Sequence, residues 1–291
     1  MKKKSFLFLN SFELKIIAAI FMTLDHIGMF FLSGNSLIIV RSIGRLALPL
    51  FIFLSVDGIY HSKNPYKYSL TLIILGFIMD IVLYTISKLF LNQIMIGNVF
   101  TLLGLGSLCA TLIRRKDYYS LLAVFPFAYA TMASFENIFS PYINCEYGFY
   151  GITMYLAIFL VYELVPYTLK QLAHKNNVNE DLLIEIYQRR YRNYYSLMIL
   201  ILHGAIFYLL YRINYTLPLI PFSYNIQSWC CLAGIFFIFF NGKKGYEHKF
   251  TKYAFYVYYP LHVAILGIIA YLITVSYPHL RAHETRHDLV C

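Results

Sequence analysis

Charge is what this 291-residue chain has least of. Asp, Glu, Lys and Arg make up 13% of it, against about 25% in soluble globular proteins. A soluble fold would lack polar surface to cover itself, and a disordered chain would lack the charge that keeps it solvated. Hydrophobic residues reach 59% and mean hydropathy is +0.61. The remaining class is a polytopic membrane protein. There is a single Trp, while 28 Tyr and 25 Phe bring aromatics to 19%. Tyr therefore serves the membrane interfaces, and the other rings pack between helices. Five cysteines (Cys109, Cys145, Cys230, Cys231, Cys291) show no C-x-x-C spacing and no nearby paired His. That excludes a zinc site or a disulfide framework, and no metal is expected.

A membrane helix needs about 20 mostly apolar residues. Nine spans are predicted, at about 13–33, 37–59, 68–91, 98–113, 119–135, 149–166, 195–213, 226–240 and 253–275. The fourth and eighth are short. The expected fold is an all-α transmembrane bundle forming one domain over 1–275, with an exposed tail at 276–291. A polar insert at 167–194 interrupts it, and Glu180–Tyr187 within that insert reads as a short amphipathic helix outside the membrane. The first span carries Lys15, Asp25 and His26 and lacks an A-x-A-like site after it, so it is read as retained. An odd number of spans and no internal repeat weigh against a two-fold repeat transporter.

Cytoplasmic loops are enriched in Lys and Arg. With the N-terminus inside, the inner segments hold Lys2–Lys4, Lys63, Lys67, Arg114–Lys116, Lys170, Lys175, Arg189, Arg190, Arg192, Lys243, Lys244, Lys249 and Lys252. The outer segments hold almost none before Arg281 and Arg286. This alternation predicts a multi-pass protein of the cell (cytoplasmic or inner) membrane. It also accounts for the net charge of +10 without nucleic acid, because the basic residues are spread over many loops. The partner it implies is the lipid bilayer.

Ionisable residues within spans are expensive and default to functional candidates. They are Lys15, Asp25, His26, Arg41, Arg45, Asp57, Asp80, Lys88, His203 and His262. At about 1.5 Å rise per residue, Asp25, His26 and Arg45 fall in the outer half and Asp80 and His262 near the midplane, so the five can share a depth. Lys15, Asp57 and His61 form a second, inner group. Lys15 and His26 are eleven residues apart and share a helix face, as do Arg41 and Arg45, four apart. Asp25 points about 100° from its neighbour His26 and suits pairing with Arg45 or another helix. Each has a plainer role open to it. Arg41 and Lys88 suit the outer interface, Asp80 and Arg45 suit a structural ion pair, and His203 suits a packed, hydrogen-bonded histidine.

Several stretches together resemble the TraX family, which contains the membrane protein that N-acetylates conjugative pilin. They are Leu14-Lys15-Ile16-Ile17-Ala18 with Met22 and Asp25-His26-Ile27-Gly28; Arg41-Ser42-Ile43-Gly44-Arg45-Leu46-Ala47 with Pro49-Leu50-Phe51; Asn98-Val99-Phe100-Thr101; Tyr147-Gly148 with Gly151; Asn241-Gly242 with Gly245; and Phe255-Tyr256 with Tyr259-Pro260-Leu261-His262. The blocks fall in the family's order over about 13–270. This chain has Asp57 before Gly58 where the family often has Glu, and Thr71 where it often has Arg. The first block also resembles a wider class of membrane acyltransferases, with Lys15 and His26 at that class's basic and histidine positions. That resemblance implies His26 as the catalytic histidine.

The resemblance implies an acyltransferase using acetyl-CoA, with an amine or hydroxyl acceptor on a pilin-like peptide, a glycan or a lipid. His26 would be the base, or would briefly carry the acyl group. Arg45 would stabilise the oxyanion or hold the acidic partner of His26. His262 is a second base candidate. The phosphates of acetyl-CoA would want Lys63, Lys67, Lys243 or Lys244, residues that orientation already accounts for. Two rival readings stay open: a transporter or proton relay built on the same residues, and an assembly protein whose polar groups hold helices together.

Overall fold

The computed structural model describes residues 7–90, 98–134, 145–213, 224–246 and 248–276, and among them there is no β-strand. The helices are α1 (Ser11–Phe31), α2 (Gly34–Gly44), α3 (Ala47–His61), α4 (Pro65–Phe90), α5 (Val99–Ile113), α6 (Val124–Met132), α7 (Gly148–Asn176), α8 (Glu180–Ile213), α9 (Tyr224–Gln227), α10 (Gly234–Ile238) and α11 (Lys249–Ser276). A 3₁₀ turn at Tyr118–Ala123 leads into α6, and another at Ser228–Ala233 joins α9 to α10.

Among the described residues, six stretches are long and apolar enough to cross a membrane: α1, α2 with α3, most of α4, α7, α8 and most of α11. Shorter apolar elements, Val99–Ile113 and Ser228–Ile238, stand where the fourth and eighth spans are expected. Together these make an all-α, multi-pass membrane bundle. Its outer surface carries exposed large apolar side chains such as Ile74, Phe77, Leu202 and Leu272. In water that surface would be a liability; in hydrocarbon it is the solvated face.

Two expectations change. The second span is not one helix: it breaks at Arg45–Leu46 into α2 and α3. The insert at 167–194 is not a separate amphipathic element. Helix α7 continues to Asn176, Asn177 turns in the left-handed conformation (φ 53°), and Glu180–Tyr187 is simply the start of the 34-residue α8. A Lys170–Glu180 contact of 2.7 Å closes this hairpin. Leu183 and Ile184 of this stretch pack on Val161, Val165 and Leu169 of α7, whereas Leu182 and Ile186 are exposed. The tail at 277–291 lies outside the described residues.

The interior is built around α7, whose Tyr150, Tyr155 and Tyr162 are among the largest fully buried side chains. Phe53 of α3 stacks on Phe237 of α10 at 4.1 Å between ring centroids. The chain start is tied to the far end of the sequence. Leu9 pairs with Phe240, and the carbonyls of Lys243 and Lys244 accept from the N–H groups of Ser11 and Phe12 at 2.8 and 3.1 Å. These bonds cap α1, as does the reciprocal Asn10–Glu13 box. Gly242 adopts φ +75°, and a Cβ there would lie 2.4 Å from the Arg189 guanidinium, so glycine is required on both counts.

Candidate functional site

Helices α1, α3, α5 and α11, the end of α2 and the start of α7 converge on a small cavity of about 40 Å³. Its walls are Met22, Asp25, His26, Gly44, Ala47, Leu48, Phe51, Val99, Glu146, Tyr147 and Tyr259. Five of these carry acid–base or hydroxyl chemistry: Asp25 and His26 on α1, Glu146 and Tyr147 at the α7 start, and Tyr259 on α11.

His26 is 8% exposed and His262 6%. Their rings meet through Nδ1 of His26 and Nε2 of His262 at 2.8 Å. The other nitrogen of His262, Nδ1, lies 2.9 Å from the carbonyl oxygen of Tyr258. A carbonyl only accepts, so that Nδ1 carries a proton. In neutral His262 the Nε2 is then a lone pair, and Nδ1 of His26 must donate to it. This fixes the tautomer of His26 and leaves its Nε2 as a basic lone pair. Tyr258 adds support by stacking on His262 (5.0 Å, 13°) and bonding its hydroxyl to Thr23 of α1.

Asp25 is held by two arginines, Arg41 Nε at 3.3 Å and Arg45 Nη2 at 3.4 Å. Arg45 also donates from Nη1 to the Tyr147 hydroxyl at 2.6 Å. The close approach of α1 and α2 that permits this requires Gly44, because a Cβ there would sit 2.4 Å from Cβ of Asp25. Arg45 itself lies behind the cavity wall rather than on it. Its effect reaches the cavity through Tyr147, whose oxygen accepts from Arg45 and whose O–H is directed to the neighbouring Glu146 carboxylate.

Tyr147 sits in the left-handed conformation (φ 65°, ψ −8°) immediately before α7. Few non-glycine residues adopt it, and such residues concentrate at functional sites. The turn seats Tyr147 on Arg45 and places Glu146 beside it, with Arg45, Asp25 and Arg41 as electrostatic neighbours.

The structure thus joins Asp25, Arg41 and Arg45 in one network and His26 and His262 in another, beside the same cavity. Arg41 is a partner of Asp25 rather than an isolated interface residue. Asp80 is not the partner of Arg45: it accepts from Asn98 Nδ2, which also donates to Gly76 O at 3.1 Å. Asp57 belongs elsewhere, bound by Arg189 at 2.6 Å, Tyr162 at 3.1 Å and His61 at 3.2 Å. Lys15 is exposed on α1 and is not among the partners of Asp57. His203 packs as a hydrogen-bonded histidine, 3.0 Å from Thr153. Lys63 and Lys67 flank the start of α4, and Lys243 and Lys244 lie in the loop that caps α1.

Glu146 was missed by sequence reasoning. It stands just before the sixth apolar run, where a search for ionisable residues inside spans does not reach. The usable signal was an acid beside Tyr147-Gly148 at the point of entry into the bundle.

Comparison with known proteins places these residues. The chain is 27% identical over 277 residues to the probable fimbrial assembly protein FimC, serogroup H1, of Dichelobacter nodosus, covering 88% of this chain and 94% of that protein. No solved structure matches. The family model described as TraX protein matches residues 11–176, which include His26, Asp25, Arg41, Arg45, Glu146 and Tyr147. With more than half of its length matched in this way, the chain belongs to the TraX family.

Proposed function

We propose that this protein is an integral membrane acyltransferase that moves an acetyl group from acetyl-CoA to an amine or hydroxyl. One observation carries the reading: the Tyr258 carbonyl, His262 and His26 form a hydrogen-bonded line that leaves a basic Nε2 at a cavity also walled by Asp25, Glu146 and Tyr147.

The residues divide the work as follows. Nε2 of His26 takes the proton of the acceptor N–H or O–H as its nitrogen or oxygen bonds to the thioester carbonyl carbon. Negative charge then gathers on the carbonyl oxygen. The Tyr147 hydroxyl, polarised by Arg45, turns from Glu146 to donate to it. As the carbon–sulfur bond breaks, His26 returns its proton to the leaving thiolate. His262 stabilises the transient imidazolium by holding Nδ1. Arg41 and Arg45 hold Asp25 in place. In this scheme Arg45 is a positioning residue, and Tyr147 takes the oxyanion role.

The distribution of basic loops supports a cavity in the outer half of the cell (cytoplasmic or inner) membrane, which suits an acceptor reached within the bilayer or from outside. A pilin-like peptide is supported by the fimbrial-assembly name of the relative; a glycan or lipid presents the same nucleophiles. The test is transfer from labelled acetyl-CoA in vesicles, with peptide-amine and hydroxyl acceptors in parallel. Uptake of a substrate into vesicles without acetyl-CoA consumption would replace this reading with the transporter.

A further inference from the structure

We propose a second ligand site, for a phosphate group, at the end of the bundle that carries the basic loops. An open pocket of about 260 Å³ lies between the start of α4 and the end of α5, lined by Pro65, Tyr66, Thr111, Arg114 and Arg115. The inference is independent of acetyl transfer.

The first observation is Thr111. It is 5% exposed and its Oγ1 has no hydrogen-bond partner. Other helical threonines here satisfy that oxygen by bonding back one turn, as Thr71 does to Lys67 O at 2.7 Å and Thr131 to Phe127 O at 2.9 Å. A buried hydroxyl left unpaired costs about 1–3 kcal/mol.

The second observation is the pair of guanidinium groups. Arg114 is steadied by the Tyr60 ring at 4.2 Å and by Glu163, which takes only Nε, at 3.5 Å. Arg115 gives Nε and Nη2 to Asp117 at 2.8 to 3.2 Å. A guanidinium has five N–H donors, so both retain donors beyond their carboxylates. Lys63, Lys67 and Lys116 add charge, and Asp117 and Glu163 do not balance the five cations. The 26-residue α4 points its N-terminus at the same place.

A doubly charged, multi-oxygen group on a planar donor fork beside a helix start and a hydroxyl is phosphate recognition. The phosphate has two sources: a soluble nucleotide such as the donor would carry, or an anionic lipid headgroup. Val99 lines the cavity near His26 and Thr111 lines this one, both on α5. Twelve residues of helix set them about 18 Å apart.

The experiment uses the full chain in nanodiscs and two probes. One arm titrates adenosine 3′,5′-bisphosphate into protein in phosphatidylcholine alone. The other compares melting in phosphatidylcholine and in phosphatidylcholine with phosphatidylglycerol. Binding in the first arm assigns a soluble phosphate, and stabilisation in the second assigns a lipid. In the responding arm Arg115→Gln, at an exposed side chain, weakens the response about tenfold. Thr111→Val weakens it a few-fold and Thr111→Ser leaves it intact. No response in either arm, or wild-type response in both Arg115→Gln and Thr111→Val, overturns the site.

Discussion

Replacing His262 with Leu tests how the site is organised. The structure gives His262 one chemical duty, to accept the Nδ1 proton of His26 at 2.8 Å. Without that acceptor, His26 has a buried donor with no partner, a penalty of about 1–3 kcal/mol on the useful tautomer. The proton then moves to Nε2, the atom that must be bare. A penalty of this size lowers the competent population about 10- to 100-fold, so kcat should fall by that factor with KM nearly unchanged. This loss is smaller than that expected on removing the base itself, about 10² to 10⁴. His262→Gln places an amide oxygen near the position of Nε2 and should recover most of the rate, although it loses the stacking on Tyr258. The assay is initial-rate transfer from acetyl-CoA, with melting curves to show that each variant is folded. Wild-type kcat in a folded His262→Leu protein would refute the tautomer argument. Equal defects in His262→Gln and His262→Leu would show that His262 acts in some way other than as an acceptor.

Tyr147→Phe should lower kcat about 10²-fold at similar KM, the usual effect of removing one oxyanion donor, and initial rates check it. Gly44→Ala should cost about 3 kcal/mol or more of stability, because the new Cβ meets Asp25 at 2.4 Å and forces α1 from α2; thermal melting in detergent reads this directly. Asp57→Asn should cost about 3 kcal/mol by stranding Arg189, yet leave kcat per folded molecule unchanged. Its melting and rate measured together separate a structural latch from a catalytic acid.

How much of this was readable in the sequence depended on the kind of information each residue carried. Apolar runs gave the helices because hydrocarbon forces backbone bonds to close within each segment. They did not show that Arg45–Leu46 breaks the second span, since the composition stays apolar through the break. The amphipathic pattern of Glu180–Tyr187 correctly marked a helix with one apolar face. It could not say that Leu183 and Ile184 of that face pack on α7 while Leu182 and Ile186 stay exposed. His26 and Asp25 stood out because two adjacent ionisable groups in an apolar run demand partners. Depth alone grouped Asp80 with Arg45, but partner choice depends on rotation about the helix axis, and there Asn98 wins. Glu146 and the Tyr147 hydroxyl were hidden for a related reason: the chain re-enters the bundle at a left-handed turn, which no apolar run records. The Asn241-Gly242-x-x-Gly245 block was legible as a motif, yet its role, capping α1 and packing on Arg189, needs contacts between the two ends of the chain.

The central claim is that Nε2 of His26 is the base of an acetyl transfer. Its most direct test is turnover of radiolabelled acetyl-CoA by the purified protein in vesicles, beside folded His26→Ala. The account predicts label passing to an amine or hydroxyl acceptor, or release of CoA, reduced at least about 10²-fold in the variant. Undiminished turnover by His26→Ala, or no binding of acetyl-CoA by the wild-type protein, would contradict it.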